Sequence, residues 1–300
     1  MSKGRSRRNF LKASAAVGAA LVLGGLAKFP SALSQPYPTR KHPPHSPSSR
    51  QWVMVIDLEK CDGCRKCTEA CIETHTVPSA WGEPSFKGTR ETTKPGQQQP
   101  SEVKPNYTGR QEWIKINEFG KDLGPPGDKG NFLPTPCMQC ENAPCVNVCP
   151  VAATYHNEDG IVLIDQNRCI GCRFCMAACP YERRYFNWGE PSLSLTEAEK
   201  AKTAFAVYSP EFPVTHLRGT VEKCMFCAHR TANGELPACV DACTKAGMKA
   251  IYFGDANEDA VSNGAEILKL SELLNSRMGY RWKEELGTHP RVFYLPPRGR

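Results

Sequence analysis

Apolar positions along this chain fall into short, separated runs. The longest, Ala13 to Ala27, covers 15 residues. It has no polar face, and Gly18, Gly24 and Gly25 weaken it as a helix. It is also shorter than the ~20 residues that a bilayer-spanning helix needs. Basic residues precede it and the small-residue stretch Ala32-Leu33-Ser34 follows it. That is the layout of an export signal over residues 1–34. Residues 35–50 (QPYPTRKHPPHSPSSR) are proline-rich and predict a linker that includes His42 and His45. Trp52–Ile56 (WVMVI) predicts a strand. Glu112–Asn117 (EWIKIN) alternates as a strand does, inside a breaker-rich stretch at 76–136. Residues 154–165 (TYHNEDGIVLID) predict a hairpin that turns at Glu158-Asp159-Gly160 and ends in the strand Ile161–Ile164. Lys249–Phe253 predicts another strand, Glu266–Asn275 a helix and Val292–Leu295 a last extended piece. The pattern is α+β, with short elements and long loops.

Composition agrees, because Gly 24 and Pro 25 mean much loop. The formal charge of +7 is concentrated at one end. Lys3, Arg5, Arg7, Arg8, Lys12 and Lys28 lie in the signal with no acid, and removing those six leaves 32 basic residues against 31 acidic. Charge therefore gives no reason to expect a nucleic-acid partner. Mean hydropathy is −0.47, and the chain after the signal reads as soluble.

The chemistry lies in sixteen cysteines that form four groups with none left over. Group one is Cys61, Cys64, Cys67 and Cys71. Group two is Cys137, Cys140, Cys145 and Cys149. Group three is Cys169, Cys172, Cys175 and Cys179. Group four is Cys224, Cys227, Cys239 and Cys243. Groups one and three share C-x2-C-x2-C-x3-C, group two widens one gap to x4 and group four to x11. Disulfide frameworks do not repeat this spacing, and three cysteines within seven residues pair poorly with one another. Zinc accepts four thiolates, so a structural zinc module remains an alternative, above all in group four. The spacing of groups one and three, with Pro180 after Cys179, is the iron–sulfur signature in which a tight loop aims three thiolates at one cube. Gly63 and Gly171 suit that loop. Four complete sets imply four [4Fe–4S] clusters.

In such a run the fourth cysteine leaves on a helix and reaches the neighbouring cube. Groups two and three, with 19 residues between Cys149 and Cys169, predict a local two-cube module. Group one then has group four as its partner. The expected sets are Cys61, Cys64, Cys67 with Cys243; Cys71 with Cys224, Cys227, Cys239; Cys137, Cys140, Cys145 with Cys179; and Cys149 with Cys169, Cys172, Cys175.

Two resemblances add to this. Ser6-Arg7-Arg8-Asn9-Phe10-Leu11-Lys12 resembles the twin-arginine (Tat) signal, which implies export after folding. Cubes loaded before export would protect thiols that an oxidising compartment otherwise joins. The four groups, with CIGCRFCMAACPYERRYFNW (169–188), EKCMFCAHR (222–230), LPACVDAC (236–243) and the ending GTHPRVFYL, resemble the four-cluster iron–sulfur subunit of the complex iron–sulfur molybdoenzymes. Dimethyl sulfoxide, polysulfide and tetrathionate reductases have such subunits. Thr244 stands where the family usually has proline. The resemblance implies a non-catalytic electron-transfer subunit, periplasmic or on the outer face of the cytoplasmic membrane. Its implied partners are a polytopic quinone-reactive membrane subunit, through which it is membrane-associated, and a molybdopterin catalytic subunit. The same relay in a Dsr-type sulfur-metabolism complex, a hydrogenase or a formate dehydrogenase is the alternative. No nucleophile elbow, P-loop or dinucleotide fingerprint is present to suggest catalysis. His75, His216, His229 and His289 are scattered and read as structural or surface residues. Basic residues beside the ligands (Arg65, Lys66, Arg168, Arg173, Arg183, Arg184, Lys223, Lys245) read as a solvated surface or as charge compensation for anionic cubes. The expected organisation is a ferredoxin-like module from 51–75 with 205–254, the insertion 76–136, a second module over 137–204, and a C-terminal helix and tail over 255–300.

Overall fold

A computed structural model describes residues 50–77, 111–119, 131–191, 196–203, 208–211 and 216–297. The signal, nearly all of the linker and most of the 76–136 insertion lie outside these residues. The chain divides into units Met1–Pro44 and His45–Arg300, and everything described belongs to the second.

In chain order the elements are β1 (Trp52–Asp57), α1 (Lys66–His75), β2 (Lys115–Phe119), β3 (Asn131–Thr135), α2 (Pro144–Asn147), β4 (Thr154–His156), β5 (Val162–Ile164), α3 (Phe174–Ala177), β6 (Tyr185–Phe186), α4 (Glu197–Thr203), β7 (Val221–Glu222), α5 (Ala228–Thr231), α6 (Ala238–Lys245), β8 (Ile251–Asp255), β9 (Ala260–Ser262), β10 (Ile267–Lys269), α7 (Leu270–Ser276), β11 (Tyr280–Arg281) and β12 (Val292–Leu295). A six-stranded sheet runs β10-β9-β8-β1-β12-β11, and β2–β3, β4–β5 and β6–β7 form two-stranded ribbons.

β1 is central, antiparallel to β8 (Met54 opposite Phe253) and parallel to β12 (Met54 opposite Val292). A strand buried on both faces needs an unbroken apolar run, and Val53, Met54, Val55 and Ile56 supply it. Alternation then divides the run. Met54 and Ile56 join the core that contains Cys67, Cys71, Cys239 and Cys243. Val53 and Val55 join a smaller core with Tyr252, Leu270 and Leu295. Among the helices, α1 packs on α6 and α2 on α3.

Three expectations are corrected. The helix over Glu266–Asn275 is instead β10 followed by α7, because Asn263-Gly264 turns a hairpin there. The Asn263 Oδ1 accepts from the N–H groups of Ala265 (2.9 Å) and Glu266 (3.0 Å), and β10 pairs with β9. α7 starts only where Asp259 accepts from the Ser271 N–H at 2.7 Å and the Ser271 hydroxyl at 2.6 Å. Residues 255–300 are thus no appended helix and tail, since they supply β9, β10, β11 and β12 to the main sheet. The strand placed at Glu112–Asn117 begins at Lys115 and runs to Phe119, with the register Lys115 opposite Thr135. Glu112, Trp113 and Ile114 are held by other partners. The Thr68 hydroxyl donates to the Ile114 carbonyl at 2.9 Å, Tyr185 donates to the Glu112 carbonyl, and Arg65 pairs with the Glu112 carboxylate. The hairpin at 154–164 has the expected turn, with Gly160 at φ 73°.

Candidate iron–sulfur centres

All four groups open with a C-x2-C loop, and in each the residue before the second cysteine is left-handed: Gly63 (φ 77°), Gln139 (φ 47°), Gly171 (φ 71°) and Phe226 (φ 52°). Glycine takes this conformation freely, whereas other residues need support. Gln139 has it from its own side chain, which donates to the Cys224 carbonyl and accepts from the Val162 N–H, both at 2.8 Å. Phe226 packs edge-on against Phe253, 5.4 Å between centroids.

Each loop feeds a helix. Cys67 and Cys71 lie on α1, Cys145 on α2, Cys175 on α3, and Cys239 and Cys243 on α6. Spacing of i,i+4 puts the paired thiols of α1 and of α6 on one helix face, about 6 Å apart along the axis. Cys67 stands near Cys243, and Cys71 near Cys239.

Cys61, Cys64, Cys67 and Cys243 line one pocket. Cys149, Cys169, Cys172 and Cys175 line another. Cys71 sits among Cys224, Cys227 and Cys239. Cys140 sits with Cys137, Cys145 and Cys179. The first three sets follow one another, since Cys67 adjoins Cys71 and Cys224 adjoins Cys137, and Arg184 lies among thiols of the third and fourth. The Ala153 N–H donates to the Cys149 sulfur at 3.2 Å and the Ala250 N–H to the Cys243 sulfur at 3.3 Å.

All sixteen thiols are free of disulfides. Burial, with neighbouring sulfurs adding to it, pushes Cys61 up to about 11 and Cys67 up to about 12. The same causes put Cys71 and Cys239 well above the thiol range. A pocket that so resists thiolates needs cations among them to ionise the set, and iron supplies these. Among the described residues no three His, Cys, Asp or Glu side chains converge closely enough for one metal ion. Four thiols in each set match the ligand number that a [4Fe–4S] cube takes.

Known proteins agree with this chemistry. Residues 129–204 and 210–256 match a 4Fe–4S dicluster domain family, and residues 60–153 match a second 4Fe–4S dicluster domain family. The chain is 38% identical over 258 residues to the B subunit of selenate reductase from Mesobacillus selenatarsenatis, covering 82% of this chain and 72% of that one. It is 35% identical to the iron–sulfur cluster-binding subunit of menaquinone reductase from Nitratidesulfovibrio vulgaris (83% and 89% covered). It is 32% identical to the B subunit of tetrathionate reductase from Salmonella typhimurium (97% and 88% covered). The chain belongs to the four-cluster iron–sulfur subunits of the complex iron–sulfur molybdoenzymes. Two dicluster domains and sixteen cysteines give this iron–sulfur subunit four [4Fe–4S] clusters. Residues 6–24 match the twin-arginine translocation signal, so the subunit carries an export signal.

Around the thiols of this iron–sulfur subunit, the basic residues divide into two kinds. Lys66 pairs with Glu69 (2.8 Å), Arg168 with Asp165 (3.3 Å) and Lys245 with Asp241 (2.7 Å), as ordinary surface cations do. Arg173 stacks over Trp188, 4.5 Å from the ring centroid. Arg184 and Lys223 are buried instead. Lys223 donates to the carbonyls of Val162 and of Cys224, the latter at 2.7 Å. Arg184 reaches Thr154 Oγ1 at 3.3 Å, and its Nη2 is buried without a hydrogen-bond partner. Burial lowers the Arg184 pKa, but Cys145, Cys175, Cys137 and Cys179 outweigh it, and the net direction is upward. Arg183 donates to the carbonyls of Tyr181 (2.8 Å) and Thr135 (3.4 Å). Sequence reasoning also passed over His75, whose Nε2 lies 3.2 Å from the Cys227 sulfur. A lone histidine four residues past Cys71 carries no signal of that contact.

Proposed function

We propose that this chain relays single electrons between a quinone-reactive membrane subunit and a molybdopterin catalytic subunit on the outer face of the cytoplasmic membrane. The observation that carries the reading is the row of four thiol sets whose exposed cysteines, Cys64 and Cys172, belong to the first and the last set. Bound clusters supply one-electron redox chemistry along such a row. The ligand sets are Cys61, Cys64, Cys67, Cys243; Cys71, Cys224, Cys227, Cys239; Cys137, Cys140, Cys145, Cys179; and Cys149, Cys169, Cys172, Cys175. The packing of α1 on α6 and of α2 on α3 supports two modules, 51–75 with 205–254 and 137–204. Beside Cys172, Ile170 (63% exposed), Phe174 (60%) and Trp188 (42%) leave apolar surface for a partner. Among the described residues no helix is long and apolar enough to cross a membrane, and membrane attachment is assigned to the partner subunit.

Purification of the native complex tests the reading. A polytopic membrane subunit and a molybdopterin subunit should accompany this chain, which should carry about sixteen irons in its four cubes. Partners of hydrogenase, formate dehydrogenase or Dsr type would move the relay to another complex. A free monomer as the sole native form would overturn it.

A further inference from the structure

His75 ends α1 in a fully buried site, with its Nε2 3.2 Å from the Cys227 sulfur. The ring is held on several sides. Trp113 packs against it tilted, at 5.0 Å between centroids, and His229 meets it edge-on at 5.1 Å. The backbone is held from below, where the His216 Nε2 lies 3.0 Å from the His75 carbonyl. The His216 Nδ1 lies 2.7 Å from Glu222 Oε1, which also accepts from Gln166 (2.8 Å) and Asn187 (2.6 Å). Six side chains thus fix one imidazole against one sulfur. An iron-bound thiolate has no proton to give and can only accept. The contact is then a hydrogen bond only when the proton is on Nε2.

We propose that His75 sets the potential of the second cube by donating its Nε2–H to the Cys227 thiolate. Reduction adds one electron, spread partly over the ligand sulfurs, and no proton moves. The N–H···S bond strengthens as the sulfur becomes more negative, so it favours the reduced cube and raises its potential. The inference rests on the proposed assignment of Cys227 to that cube.

The test is a redox titration of the cluster-loaded chain followed by electron paramagnetic resonance. Cys227→Ser first identifies which signal belongs to the second cube. His75→Phe keeps a flat ring and removes the donor. It should weaken reduction of that cube tenfold or more, about 59 mV for a one-electron couple, and leave the other three midpoints in place. His75→Gln, which retains an N–H donor, should recover at least half of the shift. An unchanged midpoint in His75→Phe, an equal shift in all four cubes, or no recovery in His75→Gln overturns the proposal. Should His75→Phe fail to load, wild-type protein labelled with ¹⁵N-histidine decides. The reduced second cube should show ¹⁵N coupling by pulsed methods, and its absence overturns the proposal. If Cys227→Ser alters no cube signal, the ligand assignment falls and the proposal with it.

Discussion

Arg184 is a buried cation with no carboxylate partner among the described residues, and such a group is costly unless an anion lies nearby. The thiols around it, Cys145 and Cys175 foremost, come from two adjacent sets. On the proposed ligand sets its charge would offset the anionic third and fourth cubes together. Arg184→Met keeps the aliphatic stem and removes the charge. Midpoints of those two cubes should fall by about the 59 mV of a tenfold change, with the first and second unmoved, in an electron paramagnetic resonance titration. Arg184→Lys should fall between. At this scale the sequence revealed the cysteines, because their spacing is itself the signature, and Gly63 and Gly171, because glycine marks a left-handed turn. Gln139 and Phe226 hold the same turn at φ 47° and φ 52° through distant contacts that composition does not encode. Arg184 and Lys223 stood out as basic residues beside the ligands, but their burial, like the contact of His75 with sulfur, is a property of the folded chain.

At the scale of elements, the C-x2-C loops depend on close backbone approach. A Cβ at Gly171 would come within 2.2 Å of the Gly219 carbonyl oxygen, and φ there is 71°. Neither backbone can yield easily, so Gly171→Ala should displace Cys172 and cost the fourth cube. Iron should drop from about sixteen toward about twelve per chain, measured on anaerobically purified protein. Gly234 is a matched control, with φ 76° and nothing within 4 Å of a Cβ. Gly234→Ala should cost only the left-handed strain, about 1–2 kcal/mol, and retain all its iron. The elements themselves were legible where periodicity was unopposed, as in β1, the 154–164 hairpin and β12. They were misread where a turn outweighed a pattern. Asn263-Gly264 was present as a hairpin signal, but the apolar spacing of the following residues suggested a helix instead. At Glu112–Ile114 the alternation was real, yet tertiary partners took up the backbone that a strand would have used.

For the whole molecule, the organising fact is that β12 lies parallel beside β1, so the last described residues complete the sheet that the first ones begin. No local pattern announces a pairing between positions so far apart, which is why 255–300 read as an appendage. The same closure sets Cys243 beside Cys61 and Cys67, and Cys67, Cys71, Cys239 and Cys243 belong to one core with Met54, Ile56, Ile251 and Phe253. The thiols that would hold the first two cubes are therefore part of the core itself. Without iron, buried thiols such as Cys67, held up to about 12, stay protonated around spaces that the cubes would fill. An unfolded chain sent across the membrane would expose sixteen reduced cysteines to oxidation, and disulfides would compete with the cubes. A protein assembled this way has to be finished in the cytoplasm and moved intact. The signal at residues 6–24 is the one that permits this. Replacing the pair with lysines, Arg7→Lys with Arg8→Lys, preserves the charge and the apolar run and removes only the guanidinium groups. Cell fractionation should then find brown, fully loaded protein held in the cytoplasm, with the exported fraction reduced at least tenfold. Normal export of the double variant would show that the cysteines and the arginine pair are unrelated features of the chain.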